Sequence, residues 1–413
     1  MHNITRRGFT LSVPGWLLGC AGVRALPPGA GEPAPQFAAL TGYVVRTINE
    51  LHIPGASLCV AHAGRIVFKM GFGWSDRAAG AVLSPDTVMR IASISKPITG
   101  MAILKLFEDD LPAALDRKVF GPAGLLPDAR YSAVRDKRVL DVTLRDLLQH
   151  SGGWDSSVYE PQYDLVTIAK AMKVPAPASG ADVIAFMLRD KTLQFAPGTR
   201  YSYSNFGYNI LGRIIEHRTG MGYEEATRKL VLDPAGVTSA RIGGDTLAER
   251  FPGETTYYDD PRWPYVPSQS GVGGGKASYN GFHLRTMDSH GGWVMTSLDL
   301  VRFADAIDGR SGVARLLKPS TIALMETPDT RIAHPVAGLS WALEPGAWKH
   351  SGALIAGSHS FLKHRSDGVT WAVIYNSLPL DPELEMSDAE ALLAKTVEGV
   401  EAEILKAIAG KPA

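Results

Sequence analysis

The sequence predicts an α+β fold: an antiparallel sheet built from both chain ends, flanked by helices, with an inserted, mostly helical region. Three observations predict it. β-rich runs stand near one end, at Gly55 to Ala61 and Arg65 to Gly71. They return near the other end, at Leu339 to Leu343, Gly357 to His364 and Val369 to Asn376. Between them helical spacing dominates. The division expected is residues 1–36 as export signal and spacer, 37–90 plus 291–413 as the sheet domain, and 91–290 as the helical region.

Each element has its local reason. Ala38 to Leu51 carries apolar residues at helical spacing. His62-Ala63-Gly64 separates the first two β-rich runs and makes them a hairpin. Ile98 to Phe107 is largely apolar, the profile of a helix buried on most of its circumference. Leu115 to Leu125 reads as loop, and Thr143 to Leu148 as a short helix stopped by Gly152 and Gly153. Asp155 to Lys191 mixes loop and helix. Helices follow from Tyr208 to about Arg218, from about Tyr223 to Val231, and from Leu298 to Ile307. Asp245 to Ser278 is long, polar and Gly/Pro-rich, the composition of a functional rim or lid. Arg365 to Gly368 is a hairpin turn. Leu393, Val397, Val400, Ile404 and Ile408 line one face of a last helix.

The 413 residues suffice for one large two-part domain or two domains. Lys+Arg and Asp+Glu both total 42, without a basic run, which gives no reason to expect nucleic acid as a partner. No H-E-x-x-H and no Cys/His cluster occurs, so neither a metal nor another cofactor is expected. Thr5-Arg6-Arg7-Gly8-Phe9-Thr10 resembles a twin-arginine export signal, which places the expected product in the periplasm or cell envelope. Leu17-Leu18-Gly19-Cys20 resembles a lipobox through which Cys20 would tether the protein to a membrane, although Leu18 is not the favoured small residue. With Cys20 in the leader, Cys59 is left without a disulfide partner. Leu26 to Gln36 reads as a Pro/Gly-rich spacer.

The chemistry centres on Ile91 to Gly100, I-A-S-I-S-K-P-I-T-G. Ser93 and Lys96 lie three residues apart, on one face of a helix start. Pro97 suits the first turn, where an N–H has no intrahelical acceptor. A serine hydroxyl needs a neighbour to take its proton. A lysine removed from water loses basicity and can be that neighbour. Ser360-Phe-Leu-Lys363 is an internal control, since in a strand residues three apart face opposite sides.

Two further elements join it. Tyr203-Ser204-Asn205 is the single Y-x-N of the chain. A tyrosine beside a lysine is favoured as phenolate and can move protons. The Asn205 amide can hold a substrate carbonyl and the lysine together. His-Ser-Gly occurs at His150-Ser151-Gly152 and at His350-Ser351-Gly352. The second lies in the β-rich third, where a strand edge offers a hydroxyl, a ring and backbone N–H groups to an acyl group. It is the one chosen.

In that order the three motifs resemble those of the serine β-lactamase and penicillin-binding superfamily, nearest to its class C group with DD-peptidases, D-aminopeptidases and β-lactamase-like esterases. Leu144 to Gly153, Phe195 to Asn205 and Gly291 to Ala304 resemble other elements of that group, and the likeness spans roughly Phe37 to Ser377. The resemblance implies that Ser93 is acylated and that Lys96 and Tyr203 pass its proton to the leaving group. It implies that Asn205 and the His350 strand, with Ser351, Gly352 and Ala353, position the substrate. The N–H groups of Ser93 and Ala353 would form the oxyanion hole. The β-lactamases proper carry Lys-Thr-Gly where this chain has His350-Ser351-Gly352, so esterase or peptidase action on a small ester, amide or peptide is expected ahead of efficient β-lactam hydrolysis.

No G-x-S-x-G elbow occurs, and Gly271 to Lys276 lacks the residues of a phosphate loop and reads as an ordinary loop. The rival from another class is a catalytically silent envelope protein that keeps the fold and binds wall peptides or a partner.

Overall fold

The computed structural model describes residues 34–259, 265–310, 312, 314–332, 334, 337–354, 357–380 and 386–410. Arg6, Arg7, Cys20 and the spacer before Ala34 lie outside the described residues. In chain order, α1 (Ala38–Glu50) precedes β1 (Gly55–His62), β2 (Arg65–Asp76) and β3 (Ala81–Val82). β4 (Met89–Arg90) leads through a 3₁₀ turn at Ala92–Ile94 into α2 (Ser95–Leu106). Next come α3 (Leu111–Leu115), α4 (Leu144–Leu148), α5 (Leu165–Met172), α6 (Gly180–Asp190), α7 (Asn205–Thr219) and α8 (Tyr223–Thr227). The chain returns through β5 (Arg241–Ile242), β6 (Val266–Pro267), β7 (Gly274–Gly275), α9 (Ala277–Asn280), β8 (Trp293–Met295), α10 (Ser297–Asp308) and α11 (Pro319–Met325). It closes with β9 (Ala342–Glu344), β10 (Ala347–Leu354), β11 (Ser358–Arg365), β12 (Val369–Tyr375) and α12 (Met386–Ala409).

The main sheet has the order β3-β2-β1-β12-β11-β10-β9. Its two halves meet where β1 pairs antiparallel with β12, Cys59 opposite Ala372. Both central strands are buried on both faces, so alternate residues enter different cores. Ala56, Leu58 and Val60 with Trp371 and Val373 pack toward α1 and α12. Cys59 and Ala61 with Ala372 and Ile374 pack toward the inserted helices. The spaced apolar residues of the two terminal helices, Leu40, Val44 and Ile48 against Leu393, Val397 and Ile404, seal the first core. Each such side chain contributes about 1.5–3 kcal/mol by leaving water.

Side-chain caps set several helix starts. Thr143 and Asp146 form a capping box on α4, and Ser204 accepts the Gly207 N–H at 3.1 Å to start α7. Helix α7 therefore begins at Asn205, three residues before the sequence expectation.

Two other expectations need correction. The strand expected over Leu339 to Leu343 starts only at Ala342. Leu339 and Trp341 are core residues, and Ser340 at φ 73° breaks the extended backbone. The long segment from Asp245 is not featureless, because β6 pairs with β7, which lies inside the Gly271 to Lys276 stretch expected to be loop. A second sheet, β4-β8-β5, was not visible in the sequence because its strands have only two or three residues, too few for a period.

Candidate active site

Ser93 sits in the 3₁₀ turn just before α2 and not on the α-helix itself. Ala92, the residue before it, is held at φ 48°, a left-handed conformation uncommon for alanine. This strained turn gives Ser93 solvent access while every other residue of Ile91 to Gly100 is buried. The turn is pinned from the sheet side. The Ser360 hydroxyl on β11 donates to the Ile91 carbonyl at 2.7 Å. Gly352 on β10 has no room for a side chain: a Cβ there would meet the Ile91 carbonyl and lie 2.8 Å from the Ser93 nitrogen. The glycine of the third motif is therefore required by backbone contact.

Lys96 is fully buried and donates to the Ser93 hydroxyl at 3.0 Å and to the His290 carbonyl at 2.9 Å. Its ammonium also lies 4.7 Å from the centre of the Tyr203 ring. Burial lowers its pKa from 10.5 to about 7, with Glu160 opposing the fall. At neutral pH a large share of Lys96 is the free amine that a general base must be.

Tyr203 faces the same hydroxyl, but its protonation reverses the sequence expectation. Burial pushes its phenol well above the ordinary range, and the Ser93 hydroxyl is the neighbour that most pulls it back. A phenolate is not favoured, because desolvation outweighs the neighbouring lysine. Tyr203 is a neutral phenol, able to relay a proton and not to start by taking one.

Asn205 has a partner that the sequence did not announce. Its amide donates to Glu160 at 2.9 Å. Glu160 is a site residue that sequence reasoning missed. Burial raises its carboxyl to about 7, against the pull of Asn205 and Lys96. It remains partly accessible to solvent. A lone glutamate 45 residues before Asn205, in a loop, carries no signal of its own.

Both His-Ser-Gly copies come to the site. His350 stands on β10, and burial together with Lys96 holds its imidazolium down to about 3, so the ring is neutral. Its Nδ1 lies 2.7 Å from the Ser351 carbonyl. His150, set aside in the sequence reading, stacks on the Tyr203 ring at 4.6 Å and accepts the Ser204 N–H at 3.1 Å. Burial keeps it neutral too. The Ser351 side chain is exposed, and strand alternation puts it on the opposite face of β10 from Gly352. β9 pairs with β10 only over Ala347–Lys349, so among the described residues the β10 edge from His350 to Leu354 has no strand partner on that side. Ala353 lies on that edge and its backbone can face a substrate. The control behaves as expected: Ser360 turns to the nucleophile turn, while Lys363 pairs with Glu344 and Glu401.

A hydroxyl on a strained turn, an amine deprived of water, a neutral phenol and a glycine-lined strand edge make a serine acyl-transfer centre. The comparisons agree with that class. The family profile "Beta-lactamase" matches residues 40–395, and the chain belongs to that family. It is similar to Esterase EstB of Burkholderia gladioli, 30% identical over 50% of this chain and 51% of the esterase. It is also similar to a D-aminopeptidase of Brucella anthropi, 28% identical over 54% of this chain and 39% of that protein. The chain thus spans about half, or less, of the length of these relatives. Among solved structures, D-amino acid amidase from Ochrobactrum anthropi SV3 superposes with TM-score 0.65 at 23% identity, over 90% of this chain and 98% of that one. The octameric penicillin-binding protein homologue from Pyrococcus abyssi superposes with TM-score 0.61 at 24% identity, over 88% and 78%. These likenesses establish the fold.

Proposed function

We propose that this protein is a serine hydrolase that cleaves small esters or amides through an acyl-enzyme on Ser93. The observation that carries the reading is the 3.0 Å contact between the Ser93 hydroxyl and a lysine whose pKa burial has brought to about 7. Neutral Lys96 takes the hydroxyl proton as Ser93 Oγ attacks the substrate carbonyl carbon. The N–H groups of Ser93 and Ala353 stabilise the oxyanion. The bond to the leaving group breaks, and the proton reaches that group through Tyr203. Water then attacks the acyl-enzyme and gives its proton to Lys96; as the acyl–Oγ bond breaks, Lys96 returns that proton to Ser93 Oγ and the acid is released.

Glu160 supports a finer assignment. A partly open carboxyl, oriented by Asn205 and close enough to feel Lys96, suits a substrate ammonium beside the scissile carbonyl. Aminoacyl amides and esters fit that description, and two relatives are named D-aminopeptidase and D-amino acid amidase. Export through the Arg6-Arg7 signal to the periplasm or envelope, with a tether at Cys20, is part of the same proposal and rests on the sequence motifs alone.

A fluorophosphonate probe should label the intact protein at Ser93, and Ser93→Ala should abolish the adduct. Hydrolysis of D- and L-amino acid amides, their N-acetylated forms, short p-nitrophenyl esters and a chromogenic cephalosporin then ranks the substrates. Free-amine substrates should lead. An unlabelled, inactive protein would leave the silent binding module as the reading.

A further inference from the structure

Beside the nucleophile lies a cavity of about 60 Å³ that the mechanism above does not use. Its aromatic walls are Tyr201, Tyr203 and Trp341, and three imidazoles, His150, His334 and His350, complete it. Tyr203 and His350 are shared with the catalytic cluster, so the cavity adjoins it. Its volume would hold about four to six waters. That is room for a group of a few heavy atoms.

The lining is polar, and among the described residues no lysine, arginine or acid lines it. His150 and His350 are both held neutral by burial. Two buried polar atoms of lining residues have no hydrogen-bond partner among the described residues: His334 Nδ1 and Trp341 Nε1. An indole N–H can only donate, so Trp341 requires an acceptor. His334 is held flat against Tyr201 at 3.8 Å. Each unpaired atom costs stability unless a guest or water meets it.

We propose that this cavity is the leaving-group subsite, and that it takes short, uncharged groups bearing a hydrogen-bonding oxygen in preference to groups ending in a carboxylate. A carboxylate would leave water for a wall with no lysine or arginine, among the described residues, to pair with it. A hydroxyl or carboxamide oxygen would accept from Trp341 and be matched by His334. The inference rests on the acyl-transfer reading of Ser93 but not on the amine-binding role of Glu160.

The test therefore uses acetate esters, which carry no amine. Leaving groups are ethanol, ethylene glycol, glycolate and benzyl alcohol, each read as kcat/KM. The ethylene glycol ester should exceed the glycolate ester by about 10-fold or more. Trp341→Phe keeps an aromatic ring but removes the donor, and should lower the ethylene glycol to ethanol ratio by about 5-fold. His334→Ala should raise the benzyl to ethanol ratio by about 10-fold by opening the cavity. Equal use of glycolate and ethylene glycol esters, or variants that slow all four esters alike, would overturn the assignment while Ser93 labelling stands. Absence of both turnover and label would remove it together with the hydrolase reading.

Discussion

Lys96→Met should inactivate the enzyme and stabilise the fold, by an amount that depends on pH. The wild-type lysine is fully buried, and its pKa falls from 10.5 to about 7 on folding. Below pH 7 it is charged in both states, and the whole burial penalty is present, about 5 kcal/mol as an upper bound. Between pH 7 and 10.5 the unfolded chain binds more protons than the native one, so wild-type stability rises with pH. At pH 9.5 the remaining penalty is about 1 kcal/mol. Methionine removes the penalty, but leaves the His290 carbonyl without the Lys96 donor, which returns about 1–3 kcal/mol. The net expectation is a gain of about 2–4 kcal/mol at pH 6 that vanishes or reverses by pH 9.5. Urea unfolding at the two pH values measures it, with fluorophosphonate labelling as the activity control. A variant less stable than wild type at pH 6, or a gain that does not change with pH, would refute the claim that Lys96 is held as a free amine by desolvation.

Three other outcomes follow from the same geometry. Glu160→Gln removes the charge that holds the Lys96 pKa up, so the acidic limb of the pH profile for acylation should move down by about 1 unit; stopped-flow labelling across pH 5 to 9 reads it. Tyr203→Phe should cost about 10²–10³ in kcat/KM while Ser93 still takes up label slowly, because the relay is lost and the base is not. Gly352→Ala should depress acylation and lower the melting temperature together, since its methyl must displace the Ile91 carbonyl beside Ser93.

Much of the site was legible because its reactive residues are tied to local structure. An i, i+3 pair at a helix start meets whatever else the chain does, and so Ser93 and Lys96 could be read directly. The desolvation of Lys96 could also be read, because the residues after it are apolar and α2 is buried almost all round. The same logic misjudged Tyr203. Proximity to a lysine was visible in the motif order, but the burial that keeps the phenol protonated was not. The Asn205 contact with Glu160 could not be read, since Glu160 reaches it from a loop with no pattern to announce it.

Alternation of apolar residues and the helical faces at both ends were enough to determine that this protein builds a sheet from its termini and inserts helices between. Period and turn chemistry act over a few residues, and a single sequence displays them. Only the tertiary structure decided that both His-Ser-Gly copies meet, 200 residues apart, around Tyr203. It alone exposed the Ser351 side chain and left a small cavity between Tyr203 and His350. The physical reason is that these outcomes depend on which strand edge stays unpaired and on how much water each group loses. Both are properties of packing between distant segments, which no local pattern encodes.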